Sequence, residues 1–291
     1  MPSADDLLRE VGQANYISSL DCTQGYYQIQ MNPEDIQKTA FVTLTAHYEW
    51  IVMPLGAKWA GNSFQRMMDE ILLGKEQYAR AYIDNTAVFF NECNLHFGHL
   101  ESVLESIGNT GFTLKLSKCW FCKKQIKFVG HIIGSGKKMI CESNIQAIVN
   151  MPDPTTEQLL KSFLEMASYY KKWMPKFADV AWPLTEMTWE KQYRALEFIE
   201  NQRTAFNKLK SLLISSAVLV TPVYDRPFII QTDAPDYAVG ACLAQMNNNG
   251  IERPIAYSSS KLTNVQCRWS VIEKESYSVV FALSTFDSIV F

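Results

Sequence analysis

Tyr78-Ala79-Arg80-Ala81-Tyr82-Ile83-Asp84-Asn85-Thr86-Ala87-Val88-Phe89-Phe90 is the stretch on which the reading of this chain turns. Two short apolar runs flank Asp84-Asn85, the pattern of a β-hairpin with a polar turn. An acid at such a tip is commonly a turn residue, because its carboxylate bonds its own backbone. Asp21, in Leu20-Asp21-Cys22, also lies at a strand end rather than on a helical face, closing the strand candidate that starts at Asn15. Two such acids are the minimum for paired divalent cations, which must be held about 3.5–4 Å apart on rigid strands to clamp attacking and leaving oxygens.

Outward from these strands, Asp5 to Val11 reads as a short amphipathic helix and Thr39 to Met53 as a hairpin around Thr45-Ala46-His47. Helical spacing follows through Phe64, Met67, Met68 and Ile71 in Ala60 to Leu73, and again from His99 to Ile107. Lys127 to Ile133 is a strand candidate. From Glu142 to Ser215 the chain is mostly helical, with breaks marked by Pro152-Asp153-Pro154, Pro175 and Pro183. After Pro222, Phe228 to Thr232, Val239 to Gln245 and Pro254 to Tyr257 read as strands, Asn247 to Gly250 as a tight turn and Val271 to Leu283 as a helix. The predicted class is α+β in front, helical in the middle and α/β at the end.

At 291 residues and 47% hydrophobic, the chain can build a large core divided over two or three domains. Its net charge of −3 argues against a uniformly basic nucleic-acid binder, yet it conceals a polarity. Residues 1–110 hold 14 acids and 6 bases, whereas residues 111–291 hold 16 acids and 21 bases. Lys115, Lys118, Lys123, Lys124, Lys127, Lys137 and Lys138 follow one another with no acid between them, as a phosphate-tracking surface requires; a solvated lysine-rich face is the other reading. No apolar run reaches the roughly 18 residues that cross a bilayer, and Met-Pro-Ser-Ala-Asp-Asp is no export signal. Seven scattered cysteines fit reduced thiols, so an intracellular chain, cytoplasmic or nuclear, with no membrane partner is expected.

Ordered motifs then carry a resemblance. Leu20-Asp21, Gly25-Tyr26-Tyr27-Gln28-Ile29, Lys38-Thr39-Ala40-Phe41, Tyr48-Glu49, Met53-Pro54-Leu55-Gly56 and Phe64-Gln65-Arg66-Met67-Met68 precede Tyr82-Ile83-Asp84-Asn85, Lys118-Cys119, Phe121 and Phe128-Val129-Gly130-His131. Ser162-Phe163-Leu164, Tyr169-Tyr170, Phe177, Pro183-Leu184, Thr232-Asp233-Ala234, Gly240-Ala241, Pro254-Ile255-Ala256-Tyr257 and Glu273-Lys274-Glu275 continue it. Over essentially its whole length the chain resembles the reverse transcriptase and ribonuclease H region of Ty3/gypsy-type LTR-retrotransposon polyproteins. The resemblance implies a polymerase palm with partial fingers over residues 1–135, a helical thumb or connection region over 136–221 and the N-terminal part of an α/β ribonuclease H-like domain over 222–291. It implies RNA-directed DNA polymerase and ribonuclease H activities on a primer-template or RNA/DNA hybrid, with deoxynucleoside triphosphates and Mg²⁺ or Mn²⁺. Asp21 and Asp84 would be polymerase metal ligands, and Asp233 and Glu275 ribonuclease H ligands. Tyr26 would lie under the sugar and reject a 2′-hydroxyl, Gln65 would belong to the substrate site, and Lys115, Lys118, Lys123, Lys124 and Lys127 would bind nucleic acid. From the residues alone, Glu275 also reads as an acid complementing a helix start.

Several departures from the family pattern predict weakened activity. The second turn aspartate is Asn85, whose amide brings no charge to a site that must neutralise divalent cations and triphosphate. Where relatives read Gly-Leu-x-Asn-Ala-Pro, this chain has Gly56-Ala57-Lys58-Trp59-Ala60-Gly61, and a bulky Trp59 is expected to misplace substrate. The family's preceding fingers segment and its third ribonuclease H acid fall outside the chain. A non-enzymatic nucleic-acid-binding remnant is therefore the rival reading. Cys119-Trp120-Phe121-Cys122 lacks a second pair at zinc spacing and reads as buried thiols. His96 and His99 lack the glutamate of a metalloprotease motif and read as solvent-facing or capping residues in a helix-starting loop. Tyr169, Tyr170 and Trp173 beside Lys171 and Lys172 fit either nucleic-acid stacking or core packing.

Overall fold

Ser3 caps the first helix, α1 (Ala4–Gly12): its side chain accepts from the Asp6 N–H, Asp5 and Asp6 occupy the dipole-favoured first turn, and Leu7, Leu8 and Val11 bury one face. In this computed structural model, which describes residues 1–188, 198–215 and 218–291, the chain divides into units Met1–Lys137 and Lys138–Phe291. The first unit continues with β1 (Tyr16–Asp21), α2 (Pro33–Ile36), β2 (Phe41–Val42), β3 (His47–Tyr48), α3 (Ala60–Ile71), β4 (Ala79–Tyr82), β5 (Asn85–Phe90), α4 (Cys93–Asn109), β6 (Trp120–Lys123), β7 (Ile126–Phe128) and β8 (His131–Gly134). Strand β9 (Lys137–Ile140) starts where the units divide.

A four-stranded antiparallel sheet, in the order β4-β5-β1-β6, organises this unit. Alternation along β1 sends Leu20 to one face, with Ala79, Ala81 and Val88 against Phe64, Met68, Val103 and Ile107 of α3 and α4. Ile17 goes to the other face, with Ala87 and Phe89 against Leu7, Leu8, Val11, Phe128 and Ile133. Covered on both sides, β1 buries even Ser18 and Ser19.

The expected polar turn shifts by one residue. Tyr82 pairs with Asn85, so the loop is Ile83-Asp84 and Asn85 is the first residue of β5. Lys127 to Ile133 is two strands, β7 and β8, turning at Val129-Gly130, both at positive φ (44° and 74°). Helix α4 begins six residues before the predicted start, which overturns the reading of the histidines. His96 is fully buried, 2.7 Å from Ser18 Oγ through Nε2. The His99 ring stacks on Tyr78 at 3.9 Å between centroids.

In the second unit, α5 (Glu142–Val149), α6 (Glu157–Tyr169), α7 (Phe177–Glu186) and α8 (Glu200–Ile214) share a core with Leu160, Phe163, Phe206, Leu209 and Leu213 at its centre. The rings of Phe163 and Phe206 lie 4.4 Å apart. Pro183 sits inside α7 instead of ending it, between buried Ala181 and Leu184. Tyr170 and Trp173 join this core while Tyr169 stays exposed, so packing claims two of the three aromatics. Part of the predicted helical stretch, residues 189–197, lies outside the described residues.

Beyond β10 (Leu219–Val220), a sheet in the order β11-β12-β13 forms from Ile229–Asp233, Ala238–Met246 and Glu252–Lys261. Strand β13 is longer than predicted and takes Pro254 at the register shift opposite Ala244, on an edge strand where a missing N–H is tolerated. Helix α9 (Val271–Val290) lays Ala282 and Phe286 against Ala241 and Leu243. Among the described residues no helix is long and apolar enough to cross a membrane.

Burial, and for His96 also the neighbouring His99, lowers the pKa of both imidazoles. The unfolded chain therefore takes up protons that the folded chain refuses once the pH falls below about 6.5. Stability is expected to be full above that pH and to decline as the pH falls through the folded values. Urea midpoints at about pH 7.5 and 5.5 should show this loss, and His96→Gln should shrink it.

Candidate active site

The register between β1 and β5 makes Asp21 and Asn85 direct cross-strand partners. Both side chains therefore leave the same face of the sheet, with Cβ atoms about 4.5–5.5 Å apart. Asp84 precedes Asn85 in a two-residue hairpin loop whose first residue, Ile83, has φ 55°. A β-branched residue in the left-handed region is strained by about 1–3 kcal/mol, and glycine is the usual occupant of that turn position.

Gln65 on α3 holds the strained turn. It is 2% exposed; its Oε1 accepts the Ile83 N–H at 2.8 Å, and its Nε2 donates to Ala81 O and Asp69 Oδ1, both at 2.9 Å. The expected place for Gln65 was the substrate site. Its amide is instead committed beneath the hairpin, where it fixes how Asp84 is presented.

Asp21, Cys22, Tyr26, Asp84 and Asn85 converge. The Asp21 side chain is only 13% exposed, and its buried Oδ1 has no hydrogen-bond partner. Lys118 Nζ stands at ion-pair range, 3.4 Å from that oxygen. Asn85 Nδ2 donates to Asp84 Oδ1 at 3.3 Å. Burial, then the charges of Asp84 and Asp21, push the Cys22 thiol up to about 12. Burial and Asp84 likewise raise the Tyr26 phenol. An excess of negative potential in a pocket with a carboxylate oxygen that no hydrogen bond satisfies is a setting that a hard divalent cation fits, with Asp21 and Asp84 as oxygen donors. Among the described residues no group of three or more His, Cys, Asp or Glu side chains is arranged to hold a metal ion, so Asp21 and Asp84 stand as a two-carboxylate set.

Tyr26 sits 5.5 Å, ring to ring, from Phe64 on α3. That approach requires Gly25, where an added Cβ would fall 2.8 Å from the Phe64 ring. Trp59 is half-exposed at the N-terminus of α3 and lines a cavity of about 730 Å³ with Lys38, Thr39, Trp50, Pro54 and Leu55. Lys115, Lys118, Lys123, Lys124 and Lys127 are all exposed. The first two belong to the loop that meets Asp21, whose carbonyl accepts the Lys115 N–H at 2.8 Å. Lys138 departs from the run, its ammonium lying over the Trp173 ring at 5.0 Å.

Asp233 and Glu275 make a different picture. Asp233 ends β11 with its carboxylate 2.6 Å from Lys176 Nζ. Lys176 has a left-handed backbone, φ 54°, at the start of α7, and its pKa is raised first by the hydrogen bond to Asp233. Glu275 is exposed on α9. The helix-start role falls to Glu273, which closes a capping box with Ser270. A carboxylate holding an ammonium and an exposed glutamate, with no metal-holding group of His, Cys, Asp or Glu among the described residues, do not fit a metal cage. Neither Lys176 nor Cys22 was anticipated; Lys176 reaches Asp233 from 57 positions earlier in the chain, and local sequence carries no sign of that.

Gln65→Leu should leave the Ile83 N–H without its partner and destabilise the chain by about 1–3 kcal/mol in urea titrations. With a thiol near 12 rather than 9.0, Cys22 carries roughly 1,000-fold less thiolate at mildly alkaline pH. Iodoacetamide should accordingly label it last among the seven cysteines, and faster in Asp84→Asn.

Residues 2–133 match the family "Reverse transcriptase (RNA-dependent DNA polymerase)", and residues 198–291 match "RNase H-like domain found in reverse transcriptase". The chain is 37% identical to the retrovirus-related Pol polyprotein from transposon opus of Drosophila melanogaster, over 97% of this chain and 29% of that protein. With the Pol polyprotein from transposon gypsy of the same organism it shares 29% identity, over 100% of this chain and 29% of that protein. It thus spans under a third of either relative. The backbone superposes on a foamy viral protease–reverse transcriptase in complex with double-stranded DNA with TM-score 0.88 and 19% identity, over 100% of this chain and 50% of that one. The two matched regions, in this order and on this fold, place the chain in the reverse transcriptase and ribonuclease H region of Ty3/gypsy-type retrotransposon Pol polyproteins.

Proposed function

We propose that the N-terminal unit is a nucleotidyl-transfer palm that seats a primer-template, RNA/DNA hybrid included, and whose turnover is held down by Asn85. The carrying observation is the Asp21–Asn85 pairing beside Asp84, with one buried Asp21 oxygen lacking a hydrogen bond. Asp21 and Asp84 would hold Mg²⁺ or Mn²⁺. When bound, the paired cations supply the positive charge that activates a primer 3′-hydroxyl and neutralises the triphosphate of a deoxynucleotide. Lys118 leaves Asp21 for phosphate as the site loads, and its exposed neighbours Lys115, Lys123, Lys124 and Lys127 track the duplex backbone. Tyr26 bears on the incoming sugar, and Gln65 acts through the turn that carries Asp84.

Asn85 offers Asp84 a hydrogen bond but adds no negative charge, and losing one such electrostatic group costs about 2.7–4 kcal/mol, or about 100–1,000-fold in rate. The same reading divides the chain into a palm with partial fingers (1–135), a helical thumb or connection region (136–221) and the N-terminal part of a ribonuclease H-like domain (222–291). RNA-strand hydrolysis is assigned to the family but not to this pair of acids, because Lys176 occupies Asp233. The seven free cysteines support an intracellular setting, cytoplasmic or nuclear.

A second reading, a nucleic-acid-binding scaffold without catalysis, is favoured by the same Asn85 and by the lysines seated on Asp21 and Asp233. Primer extension on an RNA template with Mg²⁺ or Mn²⁺ separates the two. Asn85→Asp is expected to extend about 100–1,000-fold faster than the unaltered chain. Equal silence of both proteins with duplex binding retained would establish the scaffold, and full extension by the unaltered chain would remove the role given to Asn85.

A further inference from the structure

The Cys-x-x-Cys spacing of Cys119 and Cys122 does not make those two thiols partners. Cys119 Sγ faces the lysine loop, donating to Lys115 O at 3.4 Å and accepting the Asp21 N–H at 3.5 Å. Cys122 Sγ instead meets Cys93 Sγ at 3.8 Å, across 29 positions of sequence.

Local backbone explains the encounter. In the β1–β6 ladder Ile17 faces Lys123 and Ser19 faces Trp120, so Ser18 alone opposes both Phe121 and Cys122. This is a β-bulge, a device that re-aims a side chain. Cys122 takes up a left-handed φ of 49° there, and its N–H is anchored on Ser18 Oγ at 3.0 Å. The same Ser18 oxygen is bonded to buried His96, one turn along α4 from Cys93. The two sulfurs are thus pinned from both sides by one buried polar cluster. Both residues are half-buried, so a small reagent can reach them.

We propose that Cys93 and Cys122 are a redox pair that closes to an intramolecular disulfide by exchange with low-molecular-weight disulfides such as glutathione disulfide. Sulfurs 3.8 Å apart must approach to about 2.05 Å to bond. The thiolate of Cys93 attacks the reagent disulfide and expels one thiolate, leaving a mixed disulfide on Cys93. The thiolate of Cys122 then attacks the Cys93 sulfur and expels the second. The two protons released from the protein thiols go to the two departing thiolates. Overall, two protein thiols are oxidised to one disulfide while one reagent disulfide is reduced to two thiols. Burial, together with its bond to Cys93, raises the Cys122 thiol, so Cys93 opens the sequence. Closure ties the N-terminus of α4 to β6 across β1, the strand that presents Asp21, and it does not depend on the polymerase reading.

The test is incubation of the full 291-residue chain with glutathione disulfide, alkylation of remaining thiols after denaturation, and peptide mapping without reduction. The expected product is a Cys93–Cys122 cross-linked peptide with five alkylated cysteines, reversed by dithiothreitol. It should be accompanied by a rise in the thermal midpoint of roughly 5–10 °C for a loop of this length. Cys93→Ser should abolish both and leave Cys122 alkylated or as a mixed disulfide. A stable glutathione adduct on Cys93 in the unaltered chain, a cross-link to Cys22 or Cys119, or seven alkylated cysteines would each overturn the proposal.

Discussion

The pairing of β1 with β5 is the constraint from which the rest of the N-terminal unit follows. Side chains alternate along a strand, so a slip of one residue between β1 and β5 would turn Asp21 away from Asn85 and send Leu20 out of its core. Register is locked because both faces of β1 are covered: Leu20 can go only among the residues of α3 and α4, and Ile17 only among those of α1 and the β7–β8 hairpin. The hairpin is equally constrained, since a two-residue loop leaves no slack and forces Ile83 into the left-handed region. Gln65 offsets that strain with three hydrogen bonds from a buried amide, and so connects the packing of α3 to the placement of Asp84.

Cations made by the chain itself answer two of the carboxylates that the family resemblance marks as candidate metal ligands. Lys118 approaches Asp21 from the lysine loop, and Lys176 approaches Asp233 from the start of α7. These pairs differ in consequence. Asp21 keeps an oxygen that no hydrogen bond satisfies, so its pocket still favours a further cation. Asp233 is about half exposed and already hydrogen-bonded to Lys176, and among the described residues it belongs to no group of His, Cys, Asp or Glu that could hold a metal ion. An exposed ion pair of this kind contributes little to stability. It does alter what Asp233 can do, since its carboxylate must exchange an ammonium for any other ligand.

Much of this was legible in the amino-acid sequence, because the informative signals were local. Alternation gave β1 and the hairpin strands, helical spacing through Phe64, Met67, Met68 and Ile71 gave α3, and the motif order gave the family. What was not legible depends on long-range contact or backbone geometry. Asn85 looked like a turn residue because Asn is a common turn former; only the Tyr82–Asn85 pairing moves it into β5. His96 looked solvent-facing because its partner, Ser18, is 78 positions away. Gln65 carried a motif position but no indication that its amide would be buried. Cys119-x-x-Cys122 read as buried thiols, and nothing in that spacing pointed to Cys93, because a bulge redirects Cys122.

The separation between what folds the chain and what makes it catalytic accounts for the state of the site. Core residues such as Phe64, Ile17 and Leu20 specify register through volume and apolar burial, and none of that requires a charge at position 85. An aspartate there would stand opposite Asp21 and next to Asp84, adding like-charge repulsion in a half-buried pocket that already raises the Cys22 thiol. Asparagine removes that repulsion and donates a hydrogen bond to Asp84, so for the apo fold the exchange is neutral or stabilising. Catalysis needs the reverse, a concentration of negative charge that only bound cations relieve. On the proposed reading, a chain with asparagine at position 85 therefore keeps the register and the strained turn that present Asp21 and Asp84, and gives up only turnover.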